Sequence, residues 1–193
     1  ASLDISGDID VDGTSNLDVV DIDGAVDMAS TLVVASTINN LAMTGPKTNF
    51  ANSILISGDA GTGTLNSADG NTGVGKEVFA ALTSGDNNAA VGHQALKDNT
   101  TGTDNTAVGN QALCGNSTGN YNTAVGSFAL LDVDAGANSN TAVGRSSMIT
   151  LSTGDGNTAV GAQSLRSATT PGNNTAVGFC ALYTNTTAAS NTA

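Results

Sequence analysis

From Asn71 onward the chain repeats itself every 17 residues, and that period limits the folds open to it more than any other feature. The copies read NTGVGKEVFAALTSGDN, NAAVGHQALKDNTTGTD, NTAVGNQALCGNSTGNY, NTAVGSFALLDVDAGANS, NTAVGRSSMITLSTGDG, NTAVGAQSLRSATTPGN and NTAVGFCALYTNTTAAS. They open on Asn71, Asn88, Asn105, Asn122, Asn140, Asn157 and Asn174, with one 18-residue interval after Asn122. Counting each asparagine as position 1, position 4 is always Val (Val91, Val108 and Val125 among them) and position 5 always Gly (Gly92, Gly109, Gly126). Position 9 is always large and apolar, from Phe79 and Leu96 to Met148 and Leu182. The unit is too short for the paired helices of helical repeats, which need about 33 residues or more.

It reads instead as short strands joined by bends. Thr-Ala-Val favours β structure, and alternation puts Thr and Val on one face and Ala on the other. A second strand is expected at positions 8 and 9. The fixed Gly suits a corner with positive φ or a close backbone approach. Stacking such units gives an all-β parallel solenoid of about seven turns, each rising about 4.8 Å for a total of roughly 34 Å. The asparagines then form a ladder of side-chain amides, and the threonines can form a second. Ala, Val and one Leu per turn bury little area, so we expect a symmetric oligomer that covers an exposed Ala stripe.

Residues 1–34 have a different texture. Leu3/Ile5, Ile9/Val11, Leu17/Val19, Val26/Met28 and Leu32/Val34 alternate with Asp or Ser, and Gly7, Gly13 and Gly24 punctuate them. Such short alternating pieces do not hold together alone, and they suggest a fibrous triple β-helix in which chains share an axis. Residues 35–70, with Pro46, Phe50 and Ile54-Leu55-Ile56, are expected to be a transition that caps the first solenoid edge. Ala1, together with a break three residues into an eighth copy, reads as a piece of a longer chain.

Composition narrows the function classes. Six aromatics with no Trp leave an ordinary globular core short of large side chains, and net charge −12 with no Lys or Arg in residues 1–46 argues against nucleic acid. The longest apolar run, Leu32-Val33-Val34-Ala35, is far below the roughly 20 residues of a membrane span. Asp8-Ile9-Asp10-Val11-Asp12-Gly13 imitates a calcium loop, but the expected bidentate Glu falls on Val19, so no metal is expected; the eight aspartates from Asp4 to Asp27 read as a solvated outer face, with a cation held between aspartates of neighbouring chains as the alternative. Cys114 and Cys180, nearly four turns apart at positions 10 and 7, are too distant for a bridge. His93 has no recurring nucleophile beside it, and Glu77 is the only glutamate, so neither hydrolysis nor another enzymatic role is indicated and no cofactor is expected. Asn99-Thr100-Thr101, Asn116-Ser117-Thr118 and Asn185-Thr186-Thr187 match glycosylation sequons, common by chance in so Asn/Thr-rich a chain.

The NTAVGxxAL units resemble the repeats of YadA-like trimeric adhesin heads, and more closely the NTAVG repeats of bacteriophage tail fibres. The opening LDISGDIDVDGTSNLDVVDIDGAVDMAST resembles segments of marine phage tail fibres. The resemblance implies a left-handed parallel β-roll, homotrimeric, on a virion or cell surface, serving as fibre shaft or head in host attachment. The 17-residue turn is longer than the usual adhesin-head turn, so positions 10–16 are expected to protrude as loops (Lys97 to Asp104, Cys114 to Tyr121, Leu131 to Ser139). Tyr121 and Tyr183 are the only aromatic platforms there for a host glycan or protein. A bacterial adhesin head is the near alternative. An ice- or surface-binding solenoid using the position 2 threonines is a more distant one.

Overall fold

The computed structural model describes residues 43–44, 53–57, 65–133, 136–170 and 172–193. The acidic segment 1–34, with its expected triple β-helix and solvated acidic face, lies outside the described residues, as does most of 35–70.

Among the described residues nine short strands form one sheet in chain order: β1 (Met43–Thr44), β2 (Ile54–Ile56), β3 (Thr72–Val74), β4 (Ala89–Val91), β5 (Thr106–Val108), β6 (Thr123–Val125), β7 (Thr141–Val143), β8 (Thr158–Val160) and β9 (Thr175–Val177). From β2 to β9 every neighbouring pair is parallel and in strict repeat register, Thr106 on Thr123, Ala107 on Ala124, Val108 on Val125. This is the all-β parallel solenoid that the period predicts. No helix occurs among the described residues.

The stack begins one turn before the first recognisable repeat. β2 pairs in parallel with β3, and Ser53 stands where later turns have Asn, its Oγ accepting the Asn71 N–H at 2.8 Å. β1 then lies antiparallel on the outer edge of β2, Met43 opposite Ile56. Residues 43–44 thus cover the bare strand edge that a cap was expected to protect.

Two expectations about the turn's cross-section do not hold. The second strand at positions 8 and 9 is absent. Positions 8 and 9 are both buried in most turns, as in Ala95-Leu96, Ala112-Leu113 and Ala129-Leu130, whereas successive residues of a strand point to opposite faces. The chain achieves this by reversing φ: position 7 (Gln94 58°, Gln111 53°) and position 9 (Leu96 49°, Leu113 53°) are left-handed, and position 8 between them is not. The backbone remains paired between turns. Position 7 N–H groups bond backward, Gln111 to His93 O at 2.8 Å, while position 9 N–H groups bond forward, Leu113 to Ala129 O at 2.9 Å.

The second correction concerns the strand faces. The position 3 alanines of β4 to β9 point inward and are fully buried, so no exposed Ala stripe exists. The stripe left outside is Val74, Val91, Val108, Val125, Val160 and Val177, 37–59% exposed. The interior is narrow, and the bulky position 9 side chains that project into it leave room only for a methyl opposite. Turn one shows the volume rule: Phe79, the largest position 9 residue, goes with Gly73 in place of Ala, where a Cβ would stand 3.0 Å or less from Leu55, Val78 and Phe79.

The fixed glycine at position 5 meets both of its expected requirements. Gly109 has φ +139°, and a Cβ there would lie 2.6 Å from the carbonyl carbon and oxygen of Gly126, one turn on. Backbone packs directly on backbone down this column. Gly109→Ala should therefore destabilise the solenoid by about 3 kcal/mol, from φ strain plus overpacking. Urea unfolding of wild type and variant, followed by circular dichroism, checks this.

Candidate functional site

The asparagines that open the repeats are interior groups. Asn71, Asn88, Asn105, Asn122, Asn140, Asn157 and Asn174 are at most 1% exposed. Each Oδ1 accepts the backbone N–H of the next asparagine: Asn71 from Asn88 at 2.9 Å, Asn88 from Asn105 at 3.0 Å, Asn105 from Asn122 at 2.9 Å, and onward to Asn191. The Nδ2 groups donate to the preceding Oδ1, as Asn105 to Asn88 at 3.1 Å, and to the position 15 carbonyl that closes the turn, as Asn105 to Gly119 O at 2.8 Å. The expected amide ladder is present, with no polar atom left over to hold a ligand.

Hydroxyls form their second ladder at position 13. Thr83 Oγ1 donates to Thr100 O and Thr100 Oγ1 to Ser117 O, both at 2.9 Å. A shorter amide pair sits at position 12, where Asn116 Nδ2 donates to Asn99 Oδ1 at 3.1 Å. Val133 follows in the next turn, and the buried Asn116 Oδ1 has no partner. Asn99 and Asn116 are fully buried, which removes two of the three sequons as glycan acceptors in the folded state.

Among the described residues, positions 10–16 do not protrude; residues 134–135, within the expected Leu131 to Ser139 loop, lie outside them. Positions 12 and 15 face inward: Leu82, Asn99, Asn116 and Val133 are buried at position 12, and a Cβ on Gly102 at position 15 would lie 2.5 Å from Gly119 O. The segment is a wall of the solenoid, bonded turn to turn, with position 11, 13 and 14 side chains outside. Of the two tyrosines, Tyr121 at position 17 is 63% exposed. Tyr183 at position 10 is half-buried under Arg166, whose guanidinium carbon lies 5.6 Å from the ring centroid and whose Nη1 donates to the phenol oxygen at 3.1 Å. The structure does not bring Tyr121 and Tyr183 together; they stand nearly four turns apart on different columns.

Two surfaces of different chemistry remain. One is the outer sheet face, with Thr at position 2 of every repeat except Ala89, Val at position 4, and no charged residue. The other is the arc over positions 6, 7 and 10, which carries Lys76, His93, Arg145 and Phe179 in one column and Lys97, Arg166 and Tyr183 in another. Glu77 stands between these columns, 3.8 Å from Lys76 Nζ and 3.9 Å from Lys97 Nζ. Its carboxylate accepts from Gln94 Nε2 at 2.6 Å, and this bond, with the nearby cations, holds its pKa below the usual carboxylate range. The arc was not singled out by the repeat, because the repeat emphasises what is constant. Sorting the cations by position within the turn finds it.

Cys114 and Cys180 are free and half-buried. Burial, reinforced by Asp98, pushes the Cys114 thiol pKa up. No group of three or more His, Cys, Asp or Glu side chains is placed to hold a metal among the described residues, and no helix there is long and apolar enough to cross a membrane. Compared with protein-family models, with curated proteins and with solved structures, the chain matches none.

Replacing Asn105 by Leu strands the buried N–H of Asn122 and leaves the Gly119 carbonyl with the Asn116 amide alone, and should cost about 2–3 kcal/mol, read from the urea midpoint. The Cys114 thiolate is disfavoured by folding, so in a Cys180→Ser background its alkylation at neutral pH should be slower than that of an unstructured cysteine peptide. The sign also fixes the pH effect: stability should be full below the ordinary thiol pKa and fall as pH rises through the raised one.

Proposed function

We propose that the chain is a structural segment of a homotrimeric fibre on a virion or cell surface, one that supports attachment to a host cell and performs no catalysis. The observation that carries this reading is the uncharged Thr/Val face. It runs the length of the parallel stack, in register, with valines 37–59% exposed on a chain otherwise well supplied with Asp, Asn and Ser. A continuous apolar strip of this kind on one chain marks an association surface. Three such faces close around one axis without leaving an open edge, and cyclic symmetry lets each turn meet its own counterpart. The likeness of the NTAVG units to trimeric adhesin heads and phage tail fibres supports three copies rather than two.

The same face favours a second reading, binding to ice or another crystalline surface. Thr and Val methyls stand about 4.8 Å apart along the axis and roughly 6.6 Å apart along each strand, a regular array. The two readings use one surface in incompatible ways, so solution mass separates them. Light scattering on a size-exclusion column should give a mass near three times 18.8 kDa. A folded monomer that produces thermal hysteresis would reject the trimer and establish the second reading. Val108→Lys places a charge in the centre of the strip and should convert the trimer to monomer while the far-ultraviolet circular dichroism is retained.

A further inference from the structure

The arc over positions 6–10 separates charge from the rest of the molecule. Every Lys and Arg among the described residues, Lys76, Lys97, Arg145 and Arg166, sits at position 6 or 10, as does His93. Among the described residues, the acidic side chains outside the arc occupy position 11 or positions 16 and 17 (Asp98 and Asp132; Asp69, Asp86, Asp104 and Asp155). The arc itself changes along the axis. In its first two turns Glu77 offsets Lys76 and Lys97, and Asp98 and Asp132 border its middle. From Arg145 to Thr184, positions 6–11 contain both arginines, Phe179 and Tyr183, and no acid at all.

We propose that this part of the arc, Arg145, Arg166, Phe179 and Tyr183, is a binding surface for an acidic polysaccharide. The inference rests on the attachment role proposed above and names the chemistry of its receptor. Arg166 is held over Tyr183 by the ring contact and by one N–H to the phenol oxygen, which leaves the remaining donors of its fork for a carboxylate. Arg145, one turn earlier on the exposed position 6 column, supplies a second fork. Phe179, 76% exposed, offers a ring face to the polarised C–H groups of a pyranose. Guanidinium forks beside open aromatic faces suit a sugar that carries anions better than a neutral one. The net charge of −12 does not prevent this, because positions 6–11 from Arg145 to Thr184 carry no acid, and exposed charges beyond a screening length of about 8 Å at physiological salt contribute little.

Isothermal titration of the full chain with oligogalacturonate, with neutral dextran and with a single-stranded oligonucleotide tests the proposal. Oligogalacturonate should bind, more weakly at about 1 M than at about 0.01 M salt, and the Arg145→Ala/Arg166→Ala variant should bind at least about tenfold more weakly. Dextran and the oligonucleotide should bind at least about tenfold more weakly than oligogalacturonate. If the double variant is unstable, Arg145→Gln and Tyr183→Leu singly provide the same comparison. Failure of oligogalacturonate to bind, equal binding of either control ligand, or undiminished binding by the arginine variants would overturn it. Light scattering on the same samples reports the trimer independently, so loss of the receptor chemistry and loss of the fibre reading are distinguishable.

Discussion

Everything in this molecule depends on one buried hydrogen bond made once per turn, from the backbone N–H of each repeat's first residue to the side-chain oxygen of the asparagine before it. A parallel stack of three-residue strands has little to define its register, because a slip by one residue still leaves backbone paired with backbone. The asparagine removes that freedom. Its Oδ1 fixes the turn that follows, and its Nδ2 ties the end of its own turn at position 15. Both ends of the side chain are satisfied inside, where an orphan amide is costly. Misregister would bury several at once.

Given that register, the thinness of the solenoid follows. Glycine backbones stack against one another at position 5, alanines line the inner face of the strands, and one large side chain per turn crosses from the other wall. A core built from Ala and a single Leu compensates for modest area with close packing and with the cooperativity of nearest neighbours. The price is conformational: bulky residues at position 9 sit at φ near +50°, a region that L-residues avoid. They hold it because the N–H is bonded to the next turn and the side chain fills the interior.

Much of this was legible in the residues. The period gave the parallel stack, Asn the ladder, and Gly the close corner. What failed were inferences in which local pattern had to stand in for volume. Alternation says that Ala107 and Val108 face opposite ways, but not which is inside; Leu113 and its equivalents decide that by filling the interior. The left-handed Gln111 and Leu113 could not be read from sequence, since neither residue type favours that conformation, and a strand was the natural expectation for Ala-Leu. The wall at positions 10–16 has the sequence of a loop because its side chains vary. The variation is confined to positions that point outward, while Asn116 and Gly119 keep the inner side filled. The turn at Ser53 is hidden in the sequence because Ser replaces Asn and Ile replaces both Thr and Val, although its Oγ accepts the next turn's N–H as the asparagines do.

The 18-residue turn carries a consequence of its own. Between Asn122 and Asn140 the chain holds one residue more than elsewhere, yet Asn140 N–H still reaches Asn122 Oδ1 at 3.0 Å and Thr123 still lies opposite Thr141. The sheet register is the same across it as across every other turn. Length along the axis is therefore quantised: it changes only by whole turns of about 4.8 Å, whatever happens to the loop sequence within a turn. A gene encoding such a chain can gain or lose copies and drift between them, and the molecule behaves as a ruler whose divisions stay fixed while the markings on its side are rewritten.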